Sequence, residues 1–115
     1  MSYDLRILTK IEDTDLFAVL DEPELASPTY NLGRMFRACT GWDYEQGTEY
    51  RCEEVIDSIV RGINELSVHP GRYQKYEDPD GWGTIPQAKA ALESLRDCIY
   101  ENAETIPIKY LWVRW

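Results

Sequence analysis

The sequence is poor in histidine and cysteine, and it lacks any long apolar run. Cys39, Cys52 and Cys98 form no CxxC pair, and with His69 as the single histidine they do not predict a zinc site. We expect them to be free thiols packed on the apolar sides of helices. No apolar run approaches the roughly 18 residues of a membrane-spanning helix, and the first residues lack a signal-peptide pattern. These absences predict a cytoplasmic protein that does not bind membranes.

The sequence motifs of common enzyme classes are also absent. The chain contains no P-loop, GxGxxG, GxSxG or HExxH motif. A cysteine nucleophile would need His69 as its base, yet this histidine precedes Pro70 in a turn that ends a predicted helix. We therefore expect no catalytic residue, no cofactor and no bound metal, and a binding protein rather than an enzyme.

Basic residues are scarce: 12 Lys and Arg against 21 Asp and Glu give a net charge of −9. This charge opposes binding to bare nucleic acid, because proteins gain that affinity mainly by neutralising phosphates. It also opposes binding to anionic membranes, and it favours a basic surface on another protein, including a groove that normally holds nucleic acid. The alternative is that the acidity only keeps the protein in solution.

The residues that are present suffice for a folded core. The chain has 115 residues, is 43% hydrophobic and includes four Trp and eight Tyr, which predicts one globular domain over residues 1–115. Alternating residues 3–10 predict a strand, and the aromatic, β-branched segment 106–115 predicts a second. The short apolar segment 16–20 is either another strand or one helical turn.

Three segments have the apolar spacing of helices. The first follows Asn31, its predicted cap, and ends at Gly41. The second is predicted over residues 49–66 with Thr48 as N-cap, and the third over residues 85–102. Together the elements predict an α+β domain. Its N- and C-terminal strands pair in a small sheet, and about three helices cover one face. Either the short apolar segment adds a third strand or the sheet pairs with another chain.

The most specific local pattern is the turn before the last helix, residues 79–87. Two glycines bracket Trp82, Thr84 has the chemistry of an N-cap, and Gln87 that of its capping-box partner. We expect Trp82 to be buried behind this turn. The alternative, which also applies to Trp42, is an exposed anchor for a partner.

Two acidic segments are candidate partner-binding surfaces. One combines a loop with the predicted start of the second helix, and the other precedes the tryptophan turn. Their members are Asp43, Glu45, Glu49, Glu53, Glu54, Asp57, Glu77, Asp78 and Asp80. Glu53 and Asp57 are spaced to share a cation, but no calcium-loop or two-metal motif is present. A solvated helix face, stabilised by the helix dipole, is the simpler explanation.

Basic residues close to aromatic residues form a second candidate site. The candidate ligand-binding residues are Arg34, Arg37, Arg72, Tyr73, Tyr76 and Trp82, and Lys75 lies in the same cluster. Arginine forks beside aromatic rings suit a phosphate and a stacked base, as in a nucleotide. The alternative is that the many carboxylates of the chain neutralise each arginine within the fold.

Three short motifs together resemble a group of small phage proteins. These motifs are Thr29–Asn31 before a helix, residues 70–76, and Gly81–Thr84 before the last helix. They occur in the same order in small proteins of bacteriophages and prophages, mostly of Gram-positive bacteria, whose function is not known. The resemblance implies a phage origin and no particular activity. Small acidic phage proteins are often inhibitors of host machinery, including defence systems, so it also implies an inhibitor in the host cytoplasm.

Charge and resemblance together predict a non-enzymatic acidic protein that inhibits a host protein by occupying a basic surface of nucleic-acid-binding type. The alternative prediction is a small-ligand protein that binds and sequesters a nucleotide signal. The C-terminal strand, with Trp112 and Trp115, is in addition a candidate for packing in a homodimer.

Overall fold

The computed structural model describes residues 2–115 and has a four-stranded antiparallel sheet and three α-helices, which confirms the predicted α+β fold. The elements in chain order are β1 (Arg6–Lys10), β2 (Phe17–Asp21), α1 (Gly33–Thr40), β3 (Glu49–Arg51), α2 (Cys52–Val68), α3 (Ile85–Ala103) and β4 (Leu111–Arg114). Short 3-10 turns lie at Tyr30–Leu32, Pro70–Arg72, Gln74–Tyr76 and Ile108–Tyr110. No helix in the described part of the chain combines the length and apolar character needed to cross a membrane.

The strand order across the sheet is β2-β1-β4-β3, with every neighbouring pair antiparallel. The N- and C-terminal strands pair at its centre, as predicted, with Ile7 opposite Val113. The ambiguous apolar segment is a strand, because its backbone pairs with β1 and places Val19 opposite Leu8. A segment of this length has no decisive periodicity, so only the pairing with β1 settles its structure.

The predicted start of the second helix is wrong. Thr48 is not an N-cap, since α2 begins at Cys52 and Glu49–Arg51 form the edge strand β3. These residues form a strand because of a tertiary contact: Tyr50 lies opposite Val113, and β3 pairs with β4. Three residues at a helix start carry no signal that separates a strand from a first turn.

The predicted cap of the first helix is also wrong, while its predicted end is confirmed. Asn31 donates its backbone N–H to the Thr29 hydroxyl at 3.4 Å, and this bond caps a 3-10 turn that precedes α1. Leu32, the residue before α1, makes no side-chain cap. Gly41 ends the helix in the left-handed conformation, with a φ of 75° and its N–H bonded to the Arg37 carbonyl.

The start of α3 matches the sequence prediction. The Thr84 hydroxyl accepts the Gln87 N–H at 3.3 Å, and the Gln87 side chain accepts the N–H groups of Thr84 at 3.0 Å and Gly83 at 2.7 Å. Gly83 has a φ of 90°, and a Cβ added there would lie 3.0 Å from the Asn31 Cβ. The turn therefore requires glycine both for its conformation and for its close packing.

The core lies on one side of the sheet, between β1 and β4 and the helices α2 and α3. All three cysteines are buried free thiols, as predicted. Trp115 is 1% exposed and belongs to this core. Its ring is therefore not available to a second chain, and the homodimer of the C-terminal strand stays a prediction. Trp112 lies on the other face of the sheet, where it contacts Phe17.

Candidate functional site

The first predicted acidic segment occupies the loop before β3 and the first turns of α2. The structure divides its six carboxylates into two groups. Three of them form ion pairs with arginines: Asp43 with Arg37 at 3.9 Å, Glu49 with Arg114 at 3.2 Å, and Glu53 with Arg51 at 3.5 Å. These pairs join neighbouring elements of the fold, so their charges are already balanced within the chain.

The other three carboxylates, Glu45, Glu54 and Asp57, are exposed and form no ion pair within residues 2–115. We call these three residues the acidic patch. Glu54 lies in the first turn of α2, where the positive end of the helix dipole stabilises a carboxylate. A hydrogen bond between Tyr44 and Ser58, which are the chain neighbours of Glu45 and Asp57, holds the loop against α2. Glu54 and Asp57 therefore lie three positions apart on α2, and the loop that carries Glu45 packs against the same helix.

The second acidic segment holds the tryptophan turn in place. The Glu77 carboxylate accepts the Ile85 N–H at 2.9 Å and so satisfies a donor at the start of α3. Asp78 accepts the N–H of Asp80 at 2.9 Å and the side-chain amide of Asn31 at 3.4 Å. The carboxylates of Glu77 and Asp78 thus have partners inside the turn, whereas Asp80 is exposed and unpaired within the described chain.

The structure brings part of the predicted basic cluster together at Tyr76. The guanidinium carbon of Arg34, from α1, lies 5.8 Å from the centre of the Tyr76 ring, and the Lys75 nitrogen lies 5.3 Å from it. The ring of Tyr73 is 6.5 Å away. Two cations from distant parts of the sequence therefore lie over the ring of one half-buried tyrosine, which is a cation–π arrangement.

The remaining members of this cluster have partners elsewhere. Arg72 pairs with Glu65 at 3.6 Å, and the buried Tyr73 donates its hydroxyl to the same carboxylate at 2.8 Å. That hydrogen bond, with the nearby Arg72 charge, lowers the pKa of Glu65, while burial raises the pKa of Tyr73 to about 12. Arg37 pairs with Asp43, so neither Arg37 nor Arg72 is free to join Arg34.

The expectation that Trp82 is buried is wrong, since its side chain is 66% exposed. The close contact of the turn is made by Gly83 against Asn31, which leaves no room there for a ring. Trp82 instead lines an open groove of about 1340 Å³ between the segment that follows β2 and the start of α3. Trp42 is half-buried and packs against the core beside Tyr44.

Glu22, Glu24 and Leu25 line this groove beside Trp82. Sequence reasoning missed the groove, because it forms between two segments that are distant along the chain. Its lining contains carboxylates and no Lys or Arg, so it does not suit a phosphate. Glu22 is already paired with Arg6 at 3.4 Å, so the attraction of this groove for a cation comes mainly from Glu24 and the tryptophan ring.

The sequence identified Trp112 as a candidate dimer contact, but not the side chains that surround it on the sheet face that points away from the helices. Trp112 lies there with its ring 5.2 Å from Phe17, and two cations flank it: Arg51 at 5.2 Å and Lys10 at 5.9 Å. The alternation of buried Leu111 and Val113 with Trp112 and Arg114 carries the signal for this face. The cations are not free, since Arg51 pairs with Glu53 and Lys10 with Asp15.

Within residues 2–115, no group of three or more His, Cys, Asp and Glu side chains is placed to hold a metal ion. Comparisons with protein-family models, with curated proteins and with solved structures gave no match to this chain. The resemblance to phage proteins therefore stays a prediction.

Proposed function

We propose that this is a non-enzymatic, phage-encoded binding protein that inhibits a host defence protein by occupying a basic surface of nucleic-acid-binding type. The observation that supports this proposal most directly is the acidic patch. Its carboxylates, Glu45, Glu54 and Asp57, are exposed and lack ion-pair partners in the described chain. They can meet a basic partner without breaking any ion pair of the fold.

The physical chemistry of such a complex follows from its charges. A net charge of −9 attracts a basic partner over a distance set by the salt concentration, about 10 Å at 0.1 M. Association is therefore fast at low salt and slows as salt is added. A protein of this charge that covers a nucleic-acid site excludes nucleic acid both sterically and by repulsion between like charges.

The test compares two variants of equal charge. E45Q/E54Q/D57N removes the acidic patch. E93Q/E101Q/E104Q, the α3 variant, removes two carboxylates of α3 and that of its C-cap Glu104, which form no ion pair within residues 2–115. Each protein is immobilised and exposed to nuclease-treated host lysate, and bound proteins are then eluted with a double-stranded DNA oligonucleotide.

We expect the wild type and the α3 variant to retain a basic host protein that DNA elutes. The patch variant should retain it at least about tenfold less, a loss of roughly 1.4 kcal/mol or more of binding free energy. Equal retention by both variants would contradict the proposal. Retention that DNA does not reverse would show that the occupied surface is not a nucleic-acid site.

A second candidate function, a protein that binds and sequesters a nucleotide signal, is favoured by the cluster at Tyr76. Arg34 and Lys75 flank this ring, and within the described chain neither forms an ion pair. Two uncompensated cations beside an aromatic ring could bind a phosphate and a stacked base. Tyr73 and Arg72 would not contact such a ligand directly, because Tyr73 is buried and Arg72 pairs with Glu65.

Thermal melts with a panel of nucleotides test this second function. A ligand at 100 times its Kd should stabilise the folded protein by about 2.7 kcal/mol. K75Q should remove most of this effect, whereas K109Q, which alters a similar lysine–tyrosine contact at Tyr110, should not. Unchanged melting temperatures across the panel would exclude nucleotide sequestration.

A further inference from the structure

The edge strand β2 is more exposed and more apolar than the edge of a sheet usually is. Five of the nine large hydrophobic side chains that are exposed within residues 2–115 lie on or beside it: Ile11, Leu16, Val19, Leu20 and Leu25. Val19 is 59% exposed and Leu16 is 64% exposed. Within the described chain, the backbone of β2 pairs only with β1, so its outer N–H and C=O groups are open to another strand.

The two edges of the sheet differ in how they resist pairing. The opposite edge, β3, is three residues long and carries Glu49 and Arg51, and short charged edges pair poorly. By contrast, β2 is five residues long, and Asp21 is its one charged residue. The register shift in the β1–β2 pair lies near Leu20, which leaves Phe17–Val19 regular. One edge is therefore protected and the other is not.

The position of β2 is fixed before any partner arrives. The side-chain amide of Asn102, on α3, donates to the Asp21 carboxylate at 2.9 Å and ties the end of the strand to the helix layer. At the other end, the Ile11 N–H donates to the Leu16 carbonyl at 2.8 Å and closes the hairpin. An edge held at both ends loses little conformational entropy when a strand is added to it.

The charges around β2 define what can bind there. Residues 11–33 contain six carboxylates and no Lys or Arg; the acidic residues are Glu12, Asp13, Asp15, Asp21, Glu22 and Glu24. Two of these carboxylates already have partners, because Glu22 pairs with Arg6 at 3.4 Å and Asp15 with Lys10 at 3.6 Å, while Glu24 forms no ion pair in the described part of the chain. Glu22 and Glu24 line the groove that begins where β2 ends, and Trp82 lines it as well. The edge is thus an apolar strand flanked by negative charge, with a site for a cation next to it.

We propose that the free edge of β2 binds an extended apolar segment of a partner protein that carries Lys or Arg at its ends, and adds it to the sheet as a fifth strand. Main-chain hydrogen bonds along Phe17–Val19 supply the pairing, as in other cases of strand addition. The basic end of the segment enters the groove between Glu22, Glu24 and Trp82. This surface is separate from the acidic patch, which begins beside β3 at the opposite edge of the sheet.

Charge complementarity distinguishes this occupant from a second copy of the chain. Pairing β2 with β2 of another copy would bring two sets of six carboxylates together, and like charges across an interface disfavour association. A segment with basic ends instead gains attraction at each end.

The probe is a labelled peptide of alternating valine and threonine with two lysines at each end, followed by fluorescence anisotropy and by amide NMR shifts. V19K places a charge on the exposed edge, and V68K makes the same change at an exposed position near the end of α2. We expect shifts in the amides of β2 and binding that V19K weakens at least about tenfold, while V68K leaves it unchanged. E22Q/E24Q should weaken binding and reduce its dependence on salt.

Several outcomes would overturn this proposal. They are equal binding by V19K and V68K, shifts confined to other elements, absence of peptide binding, and equal binding of a peptide with glutamate ends. A concentration-dependent dimer that V19K abolishes, without peptide binding, would identify a second copy as the occupant. E45Q/E54Q/D57N should bind the peptide like the wild type. The proposal for the acidic patch and the proposal for the β2 edge can therefore be tested, and contradicted, independently.

Discussion

The rings of Tyr44 and Trp115 stack face to face, with their centres 4.0 Å apart and their planes 11° from parallel. Tyr3 and Phe36 enclose the indole with edge-on contacts at 5.7 and 5.5 Å. The Trp115 carbonyl accepts the Gly47 N–H at 2.7 Å. Stacking and hydrogen bonding together hold the loop that carries Asp43 and Glu45 against the end of β4, so the position of these two carboxylates depends on the core.

Replacing Trp115 with alanine should therefore destabilise the whole domain. Truncating a large buried aromatic residue costs about 3–5 kcal/mol of unfolding free energy, a large part of the roughly 5–15 kcal/mol total of a typical domain. Urea denaturation of W115A measures the loss. W82A is the matched control, because Trp82 is 66% exposed and its removal should change stability by about 0.5 kcal/mol or less. Equal losses in both variants would show that Trp115 does not anchor the core.

The helix ends that were predicted correctly are those encoded by nearby residues. The start of α3 depends on Thr84 and Gln87, three positions apart, and the end of α1 depends on Gly41 alone. By contrast, β3 exists because Tyr50 meets Val113 across the sheet. A contact between residues so far apart leaves no local pattern, so the helix prediction extended through a strand.

For the candidate sites, too, the sequence identifies the residues but not the long-range contacts that they make. The sequence identifies every carboxylate but does not say which have partners: Asp43 is paired with Arg37, while Glu45, two residues later, is not. Pairing depends on tertiary distances. The groove at Trp82 and the free edge of β2 likewise arise from topology, and the sequence pattern left β2 open between a strand and one helical turn.

The N-cap of α3 should contribute measurably to the stability of the fold. T84A removes the hydroxyl that accepts the Gln87 N–H, and it should cost about 1 kcal/mol of unfolding free energy. T84S keeps the hydroxyl and should stay within a few tenths of a kcal/mol of the wild type. Urea denaturation at neutral pH measures both. If T84A were as stable as T84S, the capping box would contribute nothing to the fold.

Glu65 should make stability depend on pH in the acid range. Its pKa is lowered from an ordinary value of 4.5 by the hydrogen bond from Tyr73 and the charges of Arg72 and His69. A carboxyl whose pKa is lower in the folded state adds stability above its unfolded pKa, and this contribution is lost as the pH falls through the folded value. E65Q should therefore be less stable than the wild type at pH 7, and the difference should shrink below about pH 4.5.

Denaturation curves from pH 7 to pH 3 measure this effect. E93Q is the control, because Glu93 forms no ion pair within residues 2–115. Its stability should follow that of the wild type over the whole range. A difference between E65Q and the wild type that stayed constant down to pH 3 would show that Glu65 acts by packing rather than by charge.

The three cysteines should be unreactive as long as the protein is folded. Burial raises the pKa of Cys39, Cys52 and Cys98 from 9.0 to about 12 in each case. This lowers the thiolate fraction at neutral pH about a thousandfold, and the thiolate is the form that attacks a disulfide reagent.

S27C provides a reference, because it places a thiol at an exposed position of the same fold. In a kinetic assay with a chromogenic disulfide, S27C should react rapidly with one equivalent, and the three native thiols should react only as urea unfolds the chain. Native thiols that reacted as fast as the one at position 27 would mean that the helix layer opens easily, and they would restore a cysteine as a candidate nucleophile.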